Sequence, residues 1–180
     1  MGIYYISDLH FLHKRVIEIN NRPFRDLDEM HEVLTLKWNK KVNKKDTIYI
    51  LGDIAFARNL KQIDEAINII SKLNGRKVLI KGNHDGKAVK NEKFRSLFEE
   101  ISIYKDLNDN GRRVILMHYP LEVWPGKERL SYHLHGHVHQ NNLIRNIERR
   151  YNCCVDIKIM SFEPMSLDEL ILKNECRSYE

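Results

Sequence analysis

The sequence is poor in several features that define protein classes. Its 180 residues include three cysteines, eight glycines and four prolines, which excludes a dense disulfide scaffold and a collagen-like chain. No apolar run approaches the roughly 18 residues that a membrane helix needs, and residues 1–6 lack the basic and apolar segments of a signal peptide. We therefore expect a cytoplasmic protein without a membrane segment.

Cysteine usage and net charge limit the environment and the partners. Cys153 and Cys154 are adjacent, and adjacent residues of a strand point to opposite faces, so these two thiols are poorly placed to pair. With Cys176 they are predicted to be free thiols in a reducing compartment. The formal net charge of +5 is small and spread along the chain, so nucleic acid is a possible partner that the sequence does not favour.

Hydrophobic patterning predicts the fold class. The chain length and a hydrophobic content of 42% predict one domain over residues 1–180 with one core. Three apolar runs are typical of buried strands, at residues 3–7, 47–51 and 77–80. Helical periodicity begins at Asp26 after the first run and covers residues 60–73 after the second. This alternation predicts an α/β fold, a largely parallel or mixed sheet with helices on its faces.

The second half of the chain is predicted to be richer in strands. The turn sequence at 108–111 lies between two apolar runs and predicts a hairpin over residues 101–117. Further strands are expected at 132–135 and 154–159, with antiparallel pairing in this half. A capping-box pattern at 166–169 predicts a short helix from that point.

Polar clusters follow five apolar runs of the chain. They are Asp8-Leu9-His10, Gly52-Asp53, Gly82-Asn83-His84-Asp85, His118 and Gly136-His137-Val138-His139. Loops at the carboxyl ends of parallel strands converge, so the first three clusters are expected to lie together. Asp8 and His10, like His137 and His139, are two positions apart and point the same way in an extended segment.

The side chains of these clusters have the chemistry of metal ligands. Carboxylate, amide and imidazole donors suit Mn, Fe, Zn, Co or Ni rather than an all-thiolate structural zinc site. The candidates with this chemistry are Asp8, His10, Asp53, Asn83, His118, His137 and His139. They are too many for one tetrahedral ion and fit two ions that share a carboxylate, for which Asp53 is the natural bridge.

Together the clusters resemble the motifs of the calcineurin-like metallophosphoesterase superfamily, which are D-x-H, G-D, G-N-H-[DE], H and G-H-x-H in this order. The stretches 21–24 and 156–170 are similar to those of small single-domain bacterial and phage members. The resemblance implies mixed, sandwich-like β-sheets flanked by helices, with a dinuclear metal site at the carboxyl ends of the strands. It also implies two divalent metal ions. Of Mn, Fe, Zn, Ni and Co, manganese is favoured.

The resemblance further implies a role for each site residue. One ion would take Asp8, His10, Asp53 and His139. The other ion would take Asp53, Asn83, His118 and His137. His84 would protonate the leaving oxygen or stabilise the phosphoryl oxygens, and Asp85 is a candidate to orient its ring. The reaction would be in-line attack on phosphorus by a hydroxide that bridges the metals.

Further predictions concern substrate binding. His13 follows the first motif closely enough to reach the site, although Leu12 stands where small relatives often carry glycine. In the loop 119–131, one interpretation is that Trp124 stacks on a base while Lys127 or Arg129 meets phosphate. The alternative is a surface loop whose tryptophan fills the core.

We predict a hydrolase that uses two metal ions to cleave a small phosphodiester or phosphomonoester. Two alternatives stay open: a non-catalytic interaction module on the same fold, and a nuclease acting on nucleic-acid ends. The module is disfavoured because every ligand position and His84 are filled, and the nuclease because the basic residues are dispersed. The sequence leaves open the physiological substrate, the native metals and the oligomeric state.

Overall fold

The framework of the fold is a pair of four-stranded β-sheets. The computed structural model describes residues 1–140 and 145–175 of the chain. All strands of the first sheet are parallel, in the order β1 (Ile3–Ile6), β2 (Thr47–Ile50), β3 (Arg76–Ile80) and β4 (Glu100–Ser102). The three strands predicted in the first half of the chain are confirmed. Because they are parallel, their carboxyl ends lie at one edge of the sheet.

The second sheet is mixed. Its strands are β5 (Tyr104–Asp109), β6 (Arg112–Met117), β7 (Tyr132–His135) and β8 (Arg150–Asn152). Strands β5 and β6 form an antiparallel hairpin, whereas β6, β7 and β8 run parallel. Antiparallel pairing is therefore confirmed only for the hairpin. The hairpin predicted over 101–117 begins too early, because β4 pairs with β3 in the first sheet.

Residues 154–159 do not form the predicted strand. After β8 the chain makes one parallel bridge, between Cys154 and Ser7, which joins the two sheets. The chain then turns, and the amide of Ile157 donates to the carbonyl of Cys154. The apolar side chains of this segment are buried by the turn rather than by a ladder. Cys153 and Cys154 are buried free thiols, as predicted, and Cys176 lies outside the described residues.

Helices cover the sheets. The described residues form α1 (Lys14–Ile19), α2 (Leu27–Lys41), α3 (Leu60–Ile70), α4 (Glu92–Arg95) and α5 (Leu167–Glu175). Helices α2 and α3 confirm the two helical predictions, and their caps Asp26 and Asn59 each accept a hydrogen bond from a backbone amide three residues on. Ser166 and Glu169 form the predicted capping box of α5. None of the helices in the described part of the chain is long and apolar enough to cross a membrane.

A buried hydrogen bond ties the two sheets together in the core. Tyr5 of β1 is fully buried, and its hydroxyl donates to the Asp109 carboxylate of β5 at 2.9 Å. Asp109 is itself only 2% exposed. Burial, with the neighbouring Asp109 charge, raises the pKa of the Tyr5 hydroxyl, so this hydroxyl keeps its proton and stays a donor.

Tyr5→Phe is expected to lower the free energy of unfolding by about 1–3 kcal/mol, because the Asp109 carboxylate loses a donor where water does not reach it. Urea denaturation followed by circular dichroism measures the change. Tyr49→Phe is the control. The half-buried Tyr49 ring stacks on Tyr5 at 5.6 Å between centroids, and its hydroxyl shows no hydrogen bond to the described residues. Equal losses in both variants would contradict the expectation.

Candidate metal centre

Loops that end five strands place polar side chains at one edge of the sheets. The loops after β1, β2, β3, β6 and β7 carry, in that order, Asp8 and His10, Asp53, Asn83 and His84, His118, and His137 and His139. Asp8, His10, Asp53 and His118 are each at most 2% exposed. Asn83 and His137 are exposed. The structure therefore joins all five polar clusters in a pocket that is buried at its base and open at its rim.

We call Asp8, His10, Asp53 and His139 the first donor group. Asp8, His10 and His139 each offer a ligand atom within 4.8 Å of the others, and Asp53 groups in the same way with His10 and His84. Asp8 Oδ1 lies 3.8 Å from His10 Nε2 and 3.6 Å from His139 Nε2. Asp53 Oδ2 lies 3.9 Å from His10 Nε2. Atoms that bind one divalent ion at about 2.0–2.2 Å lie roughly 3–4 Å from one another. The spacing of this group suits an ion held between its members.

A second donor group shares Asp53 with the first. Its members are Asp53, Asn83, His118 and His137. His118 Nε2 lies 3.6 Å from Asp53 Oδ2 and 3.0 Å from Asn83 Oδ1. His118 Nδ1 donates to the Leu51 carbonyl at 2.8 Å, which leaves Nε2 with a lone pair. The ring of His137 packs edge-on against His118, with centroids 5.0 Å apart.

Buried polar atoms that lack a hydrogen-bond partner indicate whether these residues fit a cation. Asp8 Oδ1 and His10 Nε2 are buried and have no hydrogen-bond partner among the described residues. Such atoms cost free energy, and most of all when they carry charge. Burial lowers the pKa of His10 well below its ordinary value, so the ring is neutral and its Nε2 can bind a metal. The donor atoms present fit a divalent ion.

The two neighbouring carboxylates, Asp8 and Asp53, also favour a cation in this pocket. Burial raises the pKa of Asp53 against the opposing effect of His118, and the negative charge of Asp8 adds to the rise. A cation beside Asp53 would stabilise the ionised form of this carboxylate, which burial and the charge of Asp8 disfavour in the protein alone.

The other oxygens of both carboxylates are used to fix their orientation. Asp8 Oδ2 accepts from the His137 amide at 2.9 Å and from the Cys154 thiol at 3.0 Å. Asp53 Oδ1 accepts from the His84 amide at 2.8 Å. A Cβ at Gly136 would overlap the Asp8 carboxylate, and a Cβ at Gly82 would overlap that of Asp53. The glycines of these motifs are therefore needed for close approach of the backbone to the carboxylates.

The backbone is strained at the candidate ligands. Positive φ angles between 46° and 73° occur at Asp8, His10, Asp53, His137 and His139. A non-glycine residue in this region costs of order 1–3 kcal/mol, and such strain clusters at functional sites. Leu12 also has a positive φ of 67°. Its amide donates to Nε2 of His31 at 2.9 Å, which helps to hold that conformation.

His84 lies at the rim of the pocket, and Asp85 lies beneath it. His84 Nε2 is 3.9 Å from Asp53 Oδ2, and its side chain is 32% exposed. The Asp85 carboxylate accepts from the amides of Gly82, Asp53 and Ile54 at 2.8, 2.8 and 3.1 Å. In the described residues it makes no hydrogen bond to His84, so its predicted role of orienting that ring is corrected. Asp85 instead ties the loop after β3 to the loop after β2.

His13 belongs to a wall of stacked groups beside His84. Its ring lies parallel to that of Phe56, with centroids 4.2 Å apart, and its Nδ1 is 3.4 Å from His10 Nδ1. The Arg58 guanidinium lies 4.2 Å from the Phe56 centroid. Burial lowers the pKa of His13 to about 4, so this ring is neutral near pH 7. Phe56 and Arg58 lie outside the five motifs, so the sequence analysis did not predict them as site residues.

The loop 119–131 does not present its tryptophan as a base-stacking surface. Trp124 is 3% exposed, and its Nε1 donates to Ser131 Oγ at 3.1 Å. The stacking interpretation is wrong, and the alternative of a buried tryptophan is confirmed. Lys127 lies 5.1 Å from the Trp124 ring and donates to a loop carbonyl, whereas Arg129 is exposed. The exposed aromatic side chain at the pocket is Tyr119, which packs against His137 at 4.6 Å.

Two charged residues beneath the pocket were not predicted as site residues, although each lies in a stretch, 21–24 or 156–170, that resembles the family. Arg22 and Asp156 are at most 4% exposed, and Asp156 accepts a hydrogen bond from His139 Nδ1 at 2.9 Å. A sequence signal exists for Asp156, since it is the one acidic residue of the segment 151–159 and follows three apolar residues. Nothing local in the sequence connects that segment with Arg22.

Two sheets with buried histidine and aspartate donors at their strand ends define an α/β protein of the metallophosphoesterase type. A family model of calcineurin-like phosphoesterases matches residues 1–152, and the chain belongs to this family.

Named relatives support that assignment. An uncharacterized protein of Methanocaldococcus jannaschii is 33% identical over 175 residues, 94% of this chain and 89% of that protein. The gene 66 protein of Mycobacterium phage L5 is 34% identical over 173 residues, 82% of each chain. Among solved structures, a protein of unknown function from Aquifex aeolicus has a TM-score of 0.71 at 30% identity, covering 95% of this chain and 98% of that one.

Saturating Mn²⁺ is expected to raise the melting temperature, because a ligand at 100 times its dissociation constant adds roughly 2.7 kcal/mol of stability. EDTA should reverse the shift, and differential scanning fluorimetry measures it. Asp53→Asn is expected to lose most of the shift because it removes the charge that both donor groups share. Asp64→Asn, an exposed change on α3, should keep the shift. The same shift in all three proteins would exclude binding at this pocket.

Proposed function

We propose that this protein is a hydrolase that uses two divalent metal ions to cleave a small phosphodiester or phosphomonoester. The observation that carries the proposal is the position of Asp53 Oδ2, which lies 3.6 Å from His118 Nε2 and 3.9 Å from His10 Nε2. One carboxylate oxygen between two sets of imidazole donors is what a pair of ions with a shared ligand requires. Membership of the phosphoesterase family supports the same class of reaction.

The charge of the pocket suits a phosphate. The two donor groups would hold the ions, for which we favour manganese among the metals that such donors accept. Ions held there would polarise the phosphoryl oxygens of an ester and lower the pKa of a coordinated water. Only Asp8 and Asp53 are anionic among the candidate ligands when the histidines are neutral. Two dipositive ions would therefore leave the pocket positive and attract an anionic ester.

His84 is the group that would handle the proton of the leaving oxygen. Its amide is held by Asp53 Oδ1, while its ring stands at the rim, where a bound ester would lie. Its Nε2 lies 3.9 Å from Asp53 Oδ2, and His84 also groups with His10 and Asp53 as a possible metal ligand, but its side chain is 32% exposed. Donation of a proton from His84 Nε2 to the departing oxygen would neutralise the charge that develops there.

His84→Gln is expected to lower kcat by about 100- to 10,000-fold, the range for loss of a general acid. The loss should be larger for an alkyl ester than for a p-nitrophenyl ester, because p-nitrophenolate leaves without needing a proton. Steady-state kinetics on the two esters measure the difference. His13→Gln, the same change on a neighbouring ring, is expected to alter KM more than kcat. Equal losses on both esters would contradict an acid role for His84.

The wall beside His84 supports a small ester as the partner. His13, Phe56 and Arg58 together offer a neutral ring, an apolar face and one exposed positive charge. A substrate held between this wall and the donor groups needs few further contacts. Lys127 and Arg129 of the loop 119–131 stay predicted phosphate contacts, and a cytoplasmic location stays a prediction.

The decisive experiment compares hydrolysis of bis(p-nitrophenyl) phosphate and p-nitrophenyl phosphate by the Mn-loaded protein and by Asp53→Asn. Turnover that the substitution abolishes would support the proposal, and the ratio of the two rates would assign diesterase or monoesterase preference. If no turnover occurred with Mn, Fe, Zn or Ni, the non-catalytic module would become the leading alternative. Steeply salt-dependent binding of oligonucleotides would favour the nuclease.

A further inference from the structure

Two stretches of the chain that the proposed chemistry does not use meet beneath the first donor group. Arg22 lies in the stretch 21–24, and Asp156 begins the stretch 156–170. Arg22 Nη2 and Nε lie 3.0 and 3.1 Å from Asp156 Oδ2, and both side chains are fully buried. We propose that this ion pair positions the first donor group and sets the affinity for the ion held there, while it does not hold the side chains of Asn83, His118 and His137, which belong to the second donor group alone. The proposal deepens the two-metal function proposed above and rests on it.

The Arg22 end of the pair holds the loop after β1. Its Nη1 donates to the Leu9 carbonyl at 2.8 Å, and its Nη2 donates to the Asp8 carbonyl at 2.6 Å. The planar guanidinium thus binds two successive carbonyls and a carboxylate at once, which its fixed fork of donors allows. The residues on either side of Leu9 are ligands with strained backbones, Asp8 and His10. Arg22 fixes the carbonyls between them.

The Asp156 end of the pair holds the ring of His139. Asp156 Oδ2 accepts from His139 Nδ1 at 2.9 Å, and Asn20 Nδ2 donates to the same oxygen at 2.9 Å. With its proton on Nδ1, the ring presents the Nε2 lone pair to Asp8 Oδ1, 3.6 Å away. A carboxylate behind a ligand histidine fixes the tautomer and the ring orientation and makes the histidine a stronger donor.

The turn that carries Asp156 makes a second contact with the same group. The Cys154 thiol donates to Asp8 Oδ2 at 3.0 Å, and its sulfur accepts from the His139 amide at 3.3 Å. One short turn therefore supports the ligand carboxylate of Asp8 and both the ring and the backbone of His139. These contacts converge on members of the first donor group.

The second donor group has different support. His118 Nδ1 is held by the Leu51 carbonyl, a neutral acceptor. In the described residues neither Arg22 nor Asp156 hydrogen-bonds to the side chains of Asn83, His118 or His137. A buried ion pair is weak evidence for a role in stability alone, since apolar replacements of such pairs are often neutral or stabilising. Its placement behind one donor group indicates a role at the metal centre.

The test measures Mn²⁺ binding by equilibrium dialysis, without substrate, on the wild-type protein and Asp156→Asn. The wild type is expected to bind two ions per chain. Asp156→Asn should weaken one of the two sites by about 10- to 100-fold, the usual effect of losing such a carboxylate behind a ligand, and leave the other site unchanged. At limiting Mn²⁺ the electron paramagnetic resonance spectrum should change from that of a coupled pair to that of an isolated ion.

Asp109→Asn is the matched control. It makes the same change at a carboxylate that is also buried, 2% exposed, and that accepts from the Tyr5 hydroxyl rather than supporting a donor group. It should keep both Mn²⁺ sites at wild-type affinity even if it lowers the melting temperature. Loss of Mn²⁺ affinity in the control equal to that in Asp156→Asn would assign the effect to general destabilisation and overturn the proposal.

A second variant covers the case in which Asp156→Asn does not fold. Arg22→Lys keeps the charge opposite Asp156 but lacks the fork that reaches the Asp8 and Leu9 carbonyls, so it should weaken the same single site. Unchanged affinity at both sites, or equal loss at both, in either folded variant would overturn the proposal. A wild-type protein that binds two ions but hydrolyses neither test ester would overturn the proposed function and leave the ion-pair proposal standing.

Discussion

Burial of two carboxylates in one pocket is the constraint on which the rest of this structure depends. Asp8 and Asp53 are at most 2% exposed, and removing each charge from water costs several kcal/mol even after relaxation. Within residues 1–140 and 145–175, only half of their oxygens accept hydrogen bonds: Asp8 Oδ2 and Asp53 Oδ1 accept from backbone amides. The remaining oxygens face the histidines of the same pocket. That arrangement favours a cation over any neutral ligand.

The scaffold holds the pocket open at a cost in local strain. Five candidate ligands have positive φ angles, and two motif glycines leave no room for a side chain beside the carboxylates. Asp85 offsets part of this cost, because its carboxylate accepts three backbone amides from two loops. The parallel strands also position these loops, since the end of each strand fixes where its loop begins. Positive φ angles thus occur at five of the residues whose side chains must converge.

The donor residues were predictable because their chemistry is local. Each candidate ligand follows an apolar run, and parallel strands bring such positions together whatever lies between them. The topology of the second half was less predictable. A hairpin can be inferred from its turn sequence, but the assignment of β4 to the other sheet depends on pairing with β3, which is distant in sequence. The segment 154–159 is apolar enough for a strand, yet its burial comes from a turn.

The errors at the site have the same physical origin. Asp85 adjoins His84 in sequence, but its carboxylate points back to the backbone of the neighbouring loop. Trp124 lies between two ligand clusters in sequence, but its indole is held by Ser131 within its own loop. Residues that are adjacent in sequence can lie in one loop while their side chains point in different directions. Side-chain direction depends on acceptors and donors from other elements, which no local pattern contains.

The pairing of Arg22 with Asp156 follows from electrostatics once the pocket is considered as a whole. An unpaired Asp156 would add a third buried negative charge near Asp8 and Asp53. An unpaired Arg22 would oppose a cation, and its charge already contributes to the lowered pKa of His10, after the larger effect of burial. As a pair the two side chains add no net charge. They can therefore orient the loop that carries Asp8 and the ring of His139 while leaving the negative charge of the pocket, which favours a cation, unchanged.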